Sequence, residues 1–279
     1  MLRLVCVGVL YLVLGCQASG EWCYEHDECG PEEWEEHYPS CGLDAQSPIN
    51  IITSRVQENR NLGPIYISGN SGIITGVVTN SGHTVEVTVS SVYQLRNAAL
   101  PNVYQLAAFH LHFGELPFDD EGSEHHIDGN AFPLEIHFVF YNTKYPDLLS
   151  ARDNPDGLAV VGVLFNIGDH NEILQNLISV LPNVAYRGDK ATVYFNLENL
   201  IPAKLSNYYK YRGSLTTPPC SESVAWHVIS SPLEISFSQY RTIVSSLYST
   251  TRDEEENPMI NNFRPTQPLN GRIVYKYQN

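Results

Sequence analysis

Six runs of β-branched and aromatic residues punctuate this chain: "SGIITGVVT", "HTVEVTVS", "NVYQLAAFHLHF", "FPLEIHFVFY", "GLAVVGVLF" and "SVAWHVIS". Turn clusters such as "NSG", "DGN" and "NPDG" separate them. Runs of this length and composition read as strands, and their number demands a large sheet. Two segments break the pattern. In "DHNEILQNLISVLP", Asp169 and Glu172 have capping-box spacing, apolar residues follow at 173, 174, 177 and 178, and Pro182 is a stop. "SFSQYRTIVSSLYS" is a weaker helix candidate. The fold class is mainly β with peripheral helices (α+β). No linker, repeat or low-complexity tract divides the chain, so one domain is expected.

The N-terminus sets the compartment. Arg3, the apolar run Leu4 to Leu14 and the small residues Ala18-Ser19-Gly20 read as a secretory signal over residues 1–20. The apolar run is about half of what spans a bilayer, so no transmembrane segment is expected. The mature domain, 21–279, then holds four cysteines: Cys23, Cys29, Cys41 and Cys220. An even count in an oxidising compartment implies disulfides, with three connectivities open. A formal charge of −15 leaves no basic footprint for nucleic acid. The acidic runs "EHDECGPEEWEEH", "DDEGSE" and "DEEE" are solvated surface, or contacts for calcium or mineral outside the cell.

The chemistry begins at "AFHLHFG". His110 and His112 are one residue apart in an apolar strand, so both imidazoles face the same side, about 7 Å apart along the chain. Alone, the pair could be two hydrogen-bonded core histidines. "PLEIHFVFY" adds His137 in a second apolar strand, with Glu135 at the same-face position. Were the two strands antiparallel neighbours, three imidazoles would converge. Three neutral nitrogens leave a tetrahedral zinc one open position, which is a catalytic arrangement. Glu135 would accept the free N–H of His137 and fix its tautomer. A cupin-like oxygenase also uses such a pair, but the later histidine motif it needs is missing.

The motifs "AFHLHFG", "GSEHHID", "LEIHFVFYN", "RGSLTTPPCSE" and "NNFRPTQPLNGR" resemble, in order and spacing, those of the α-class carbonic anhydrases. "CGPEEW" and "QSPINI" match the N-terminal segment, and the resemblance runs from Trp22 to Tyr275. It implies a twisted, mostly antiparallel central sheet and a secreted, extracellular enzyme. It implies Zn2+ on His110, His112 and His137, with zinc-bound hydroxide attacking carbon dioxide to give bicarbonate. Thr216 would orient the hydroxide through Glu124, and Thr217 would contact bicarbonate. Val139, Val160, Leu215, Val224 and Trp226 match the apolar wall for carbon dioxide. Asn262 supports the second zinc histidine through its backbone carbonyl, and Tyr24 is retained.

His83, in "NSGHTVEV", matches the proton shuttle, a task that suits an imidazole. Strict alternation would instead place it with Val85, Val87 and Val89. Its position just after Gly82, at the mouth of the strand, offers release from that rule. The family resemblance also implies a Cys41–Cys220 disulfide, which pins the Thr216 loop by about 5 kcal/mol at most. Cys23 and Cys29 would pair locally. There are departures too. Ala108 replaces a glutamine that supports the first zinc histidine, Phe113 replaces a tryptophan, and Ser81 and Glu86 replace asparagines near the shuttle. These bear on rate rather than on reaction. The alternative function is a matrix or mineral-binding relative with reduced catalysis.

Overall fold

The structure, a computed structural model, describes residues 22–24, 28–69, 72–117, 121–201 and 204–279. The proposed signal, residues 1–20, lies outside them. A sheet of fourteen strands dominates the chain. Ten form its main path: β1 (Gln57–Glu58), β2 (Ile74–Asn80), β3 (Val85–Val89), β4 (Tyr104–Phe113), β5 (Leu134–Asn142), β6 (Leu158–Ile167), β7 (Lys190–Phe195), β8 (Asn207–Gly213), β9 (Val224–Ile229) and β10 (Tyr275–Gln278). Their spatial order is β7-β2-β3-β4-β5-β6-β9-β8-β10-β1. Along this path β6–β9 and β10–β1 are parallel, and the remaining neighbours are antiparallel. The sheet is therefore mostly antiparallel, and the helices of the described residues are short.

Alternation divides the central strands between two faces. In β5, Ile136, Phe138 and Phe140 join the larger core cluster, while Val139 and Tyr141 belong to the smaller one on the other face. Strand β4 does not keep one phase. Tyr104 and Leu106 join the large core, then Phe109, Leu111 and Phe113 do, so even numbers give way to odd. A bulge between Leu106 and Ala108 inserts the extra residue that reverses the phase. Without it, alternation from Leu106 would drive His110 and His112 into the main core. With it, they face the smaller cluster.

The helices differ from the sequence expectation. Helix α1 (Gln175–Val180) begins after the Asp169–Glu172 pair, and its N-cap residue, Leu174, supplies no side-chain cap. Asn171 takes that part instead, its Oδ1 accepting from the N–H groups of Ile173 and Leu174 at 3.1 Å. Residues 169–174 are thus a turn, and the capping-box expectation fails there. The weaker candidate is the longer helix, α2 (Phe237–Ser245), with a complete capping box between Ser236 and Gln239. Gln239 also donates to the carbonyl of Asn171 at 2.9 Å, tying the turn to α2.

Candidate metal centre

Strands β4 and β5 are antiparallel neighbours with His110 opposite His137 and His112 opposite Glu135. That register brings the three imidazoles together. One ring nitrogen from each of His110, His112 and His137 lies within 4.8 Å of the others. The spare nitrogens are already engaged on two of them. His112 Nδ1 meets the backbone carbonyl of Asn262 at 2.8 Å, and His137 Nε2 meets Glu135 Oε1 at 2.7 Å. This leaves His112 Nε2 and His137 Nδ1 facing the cluster. His112 Nε2 is buried with no hydrogen-bond partner, an orphan that a metal ion would satisfy.

Electrostatics favour neutral rings, the form that ligates. Burial, helped by the charge of His137, pushes His110 down to about 3. Burial likewise lowers His112 and His137. Glu135 shows the opposite balance. Burial alone would raise its pKa, but His125 and His137 hold it well below the usual carboxylate range. Its Oε2 accepts from the N–H groups of Glu124 and His125, at 2.9 and 2.8 Å. Its Oε1 also meets His125 Nδ1 at 2.7 Å, and His125 Nε2 meets the Tyr211 hydroxyl at 2.7 Å. His125, Glu135 and His137 form a second cluster of potential ligands. Its close contacts are hydrogen bonds, so it supports the metal site rather than competing with it.

Glu124 stands behind the ligand atoms. Its Oε2 is 3.5 Å from His112 Nε2 and 3.7 Å from His137 Nδ1, and its Oε1 accepts from the Arg264 N–H at 3.0 Å. Burial raises its pKa well above the ordinary value, against the pull of the Thr216 side chain and the Arg264 backbone. A dication among the imidazoles would return this carboxylate to its ionised form. Three neutral imidazoles, an orphaned nitrogen and a buried carboxylate short of positive charge together fit zinc.

Val139, Val160, Val224 and Trp226 lie in the smaller core cluster, with Leu215 packed against it. The indole of Trp226 meets the His137 ring edge-on at 4.8 Å. Thr216 and Thr217 lie on the loop between β8 and β9. Leu215 N–H donates to the Ser221 carbonyl and Cys220 N–H to that of Thr217, while Cys220 is bonded to Cys41. A second disulfide joins Cys23 to Cys29. Tyr24 turns its phenol toward this region, and burial together with the Glu124 charge raises its pKa well above the usual value.

His83 lies outside β3, in the turn before it, so strand alternation does not govern it. Gly82 has φ +88°, and Asn80 Oδ1 accepts its N–H at 2.8 Å. Ser81 Oγ then accepts from the N–H groups of His83 and Thr84. Asn262 reaches further than its carbonyl. Its amide donates to the carbonyls of His83 and Leu111, and its Oδ1 accepts from Phe113 N–H. One side chain thus joins the His83 turn to the ligand strand.

The departures from the resemblance are also visible. Ala108 offers His110 no side-chain acceptor, and Glu86 lies directly across the sheet from His110, on the same face. Phe113 is fully buried in the main core. Two residues escaped sequence reasoning. Arg264 is buried and binds the carbonyls of Cys41 and Ser47 as well as Gln46. Trp22 stacks on His83 with ring centroids 3.8 Å apart. Arg264 falls inside a quoted motif and could have been found; a contact across sixty-one positions left no local trace. Within the acidic runs, Glu254 pairs with Arg187 at 3.2 Å, whereas Glu124 of "DDEGSE" is fully buried. Among the described residues only the two histidine clusters gather three potential ligands.

The family profile for eukaryotic-type carbonic anhydrase matches residues 29–278. Human carbonic anhydrase 7 is 42% identical over 258 residues, covering 91% of this chain and 96% of that protein. Human carbonic anhydrase 12 is 38% identical over 262 residues, covering 92% and 73%. Mouse carbonic anhydrase 6 is 37% identical over 279 residues, covering 98% and 86%.

Proposed function

The chain belongs to the eukaryotic-type carbonic anhydrase family, and we propose that it hydrates carbon dioxide as a zinc enzyme with His110, His112 and His137 as ligands. The observation that carries the zinc assignment is the convergence of three ring nitrogens with the other nitrogens of His112 and His137 already engaged. Zinc, when bound, supplies a Lewis acid that makes hydroxide available near neutral pH, a chemistry for which carbonic anhydrases are the type case.

The protein's part is orientation, exclusion and proton transfer. Ionised Glu124 can only accept, so Thr216 donates to it and keeps its own lone pairs for the nucleophile's O–H. That chain of donors points the attacking lone pair at carbon. Thr217, next along the loop, takes the bicarbonate product. Carbon dioxide is apolar, and the wall of Val139, Val160, Leu215, Val224 and Trp226 suits it without strong hydrogen bonds. His83 passes the released proton to solvent, its turn fixed but its ring outside the sheet.

All three histidines are kept, which favours an enzyme over a non-catalytic matrix or mineral-binding relative. The domain spans residues 21–279. Two disulfides need an oxidising compartment, and with the apolar leader they support secretion. No helix of the described residues is long and apolar enough to cross a membrane.

Zinc analysis coupled to stopped-flow carbon dioxide hydration tests the proposal. One zinc per chain, with hydration abolished by chelation, is the expected result. Full hydration by metal-free protein refutes it. Non-reducing peptide mapping of the secreted product should recover Cys41 and Cys220 in one fragment; two free thiols there would remove the compartment argument.

A further inference from the structure

Strands β8 and β9 carry two basic side chains that the proposed mechanism does not use. In β8, Tyr209 and Tyr211 belong to the smaller cluster and Tyr208 to the main core, so Lys210 shares the main-core face with Tyr208. In β9, Val224, Trp226 and Val228 belong to the smaller cluster and Ala225 to the main core, which puts His227 on that same face. Both therefore point away from the metal centre. They stand directly opposite each other in the antiparallel register. Neighbours of this kind have Cβ atoms about 5 Å apart.

Both side chains are short of partners. His227 is fully buried, and neither ring nitrogen has a hydrogen-bond partner. The carbonyls of Val160 and Ala225 act on the ring electrically without bonding to it. The Tyr208 ring stands 5.5 Å away, and its hydroxyl is committed to the Gly63 carbonyl. A neutral imidazole in this place holds one unused donor and one unused acceptor. Lys210 is 8% exposed, and its Nζ donates to the Ala99 carbonyl at 3.2 Å. The charged and titratable groups that face it are Arg212 along β8, His227 on β9 and Tyr275 on β10, with no carboxylate among them. Burial and the Arg212 charge push the amine down to about 8. At about pH 8 roughly half of it is then the neutral nucleophile, against less than about 1% of an ordinary lysine. Ala99 is itself exposed, so a small apolar molecule can reach the amine from solvent.

We propose that Lys210 is a carbamylation site, its ε-amine taking up carbon dioxide as a carbamate that the ring N–H of His227 holds. The nitrogen lone pair forms the new N–C bond, one C=O π pair moves onto oxygen, and the proton displaced from nitrogen passes to water. The product puts a negative charge where a buried positive one stood, beside Arg212 and an imidazole donor with no other acceptor. The site needs carbon dioxide but not zinc, so it stands apart from the hydration reading.

The test equilibrates the full chain with isotopically labelled carbon dioxide and bicarbonate at that pH, then alkylates carbamates with a trialkyloxonium salt and locates the label by peptide mass spectrometry. Lys210 should carry at least about tenfold more label than the exposed Lys144 or Lys190, following its larger neutral fraction. Zinc-loaded and chelated protein should label equally at equilibrium, so the result is independent of whether the chain hydrates carbon dioxide. Lys210→Arg should lose the label at this position. His227→Leu replaces an unbonded buried ring by an apolar side chain, which the core accepts, and should cut labelling of Lys210 roughly tenfold, the worth of a hydrogen bond to a charged group. His227→Asn keeps an N–H donor and should recover part of it. No label at Lys210, or no more than at the exposed lysines, overturns the proposal. Label that disappears on chelation also overturns it, and undiminished labelling in His227→Leu removes the imidazole from the site.

Discussion

His112 and His137 at the floor of the site are fully buried, and each has its spare nitrogen tied to a fixed acceptor, Asn262 or Glu135. His110 at the mouth is half-buried, stands beside Ala108 rather than an acceptor, and faces Glu86 across the sheet. All three rings belong to the same pair of strands. The difference lies in what stands behind them. A ring whose tautomer and angle are fixed before the metal arrives costs little to order on binding, whereas a ring held only by its own strand must be ordered then. The floor is built for affinity, and the mouth leaves freedom for traffic.

The largest expected effect breaks the floor itself. His112→Ala removes one of three ligands and the ring that Asn262 orients. Zinc content after dialysis should fall to near zero, and hydration to the uncatalysed background. A variant that keeps stoichiometric zinc would show that the other two histidines suffice. Glu135→Gln is milder. It keeps the shape and one oxygen, but removes the charge that serves His125 and His137 and turns an acceptor into a donor. Zinc affinity, measured by competition with a chelator, should drop about 10- to 100-fold. An unchanged affinity would mean that the acceptor behind His137 is dispensable, and the floor-and-mouth contrast would lose its cause.

Giving the mouth what the floor already has sharpens the comparison. Ala108→Gln puts an acceptor on the same face as His110, where the β4 bulge has set the phase. Zinc should leave this variant more slowly, by up to about tenfold, a smaller effect than losing an existing partner. An unchanged release rate would mean that the first histidine needs no support at this position.

How far the site was legible in the sequence follows the same division. The ligands and Glu135 could be read because each lies at a fixed spacing within one strand, and strand periodicity converts spacing into direction. What spacing could not show was the bulge. The residues from Tyr104 to Phe113 change faces midway, and nothing in their composition marks where. The helix error has a similar origin. Asp169 and Glu172 satisfy a local rule, yet Asn171 and Gln239 make better bonds across sixty-eight positions, and the tertiary contact wins. The Trp22–His83 stack is wholly tertiary. Floor residues are constrained by their own strands, whereas mouth residues answer to distant chain.

The smallest expected effect concerns Glu86, the charge at the mouth. The residue is exposed, yet partial desolvation still raises its carboxyl above the ordinary range in the folded protein. Between the unfolded and folded pKa values the native state binds the extra proton. Stability therefore falls as pH rises through that interval and levels off above it. Glu86→Gln has no such proton to lose. The Tm values of wild type and variant should coincide near pH 4 and separate as pH rises, the variant higher by on the order of 1 °C at neutral pH. The comparison belongs in metal-free protein first, because a bound dication opposite Glu86 would favour its charge and shrink the difference. A wild type that is equally or more stable at pH 7 without metal would show that the mouth is open enough to solvate the carboxylate fully. The contrast between a dry floor and a constrained mouth would then reduce to the hydrogen bonds behind the three rings.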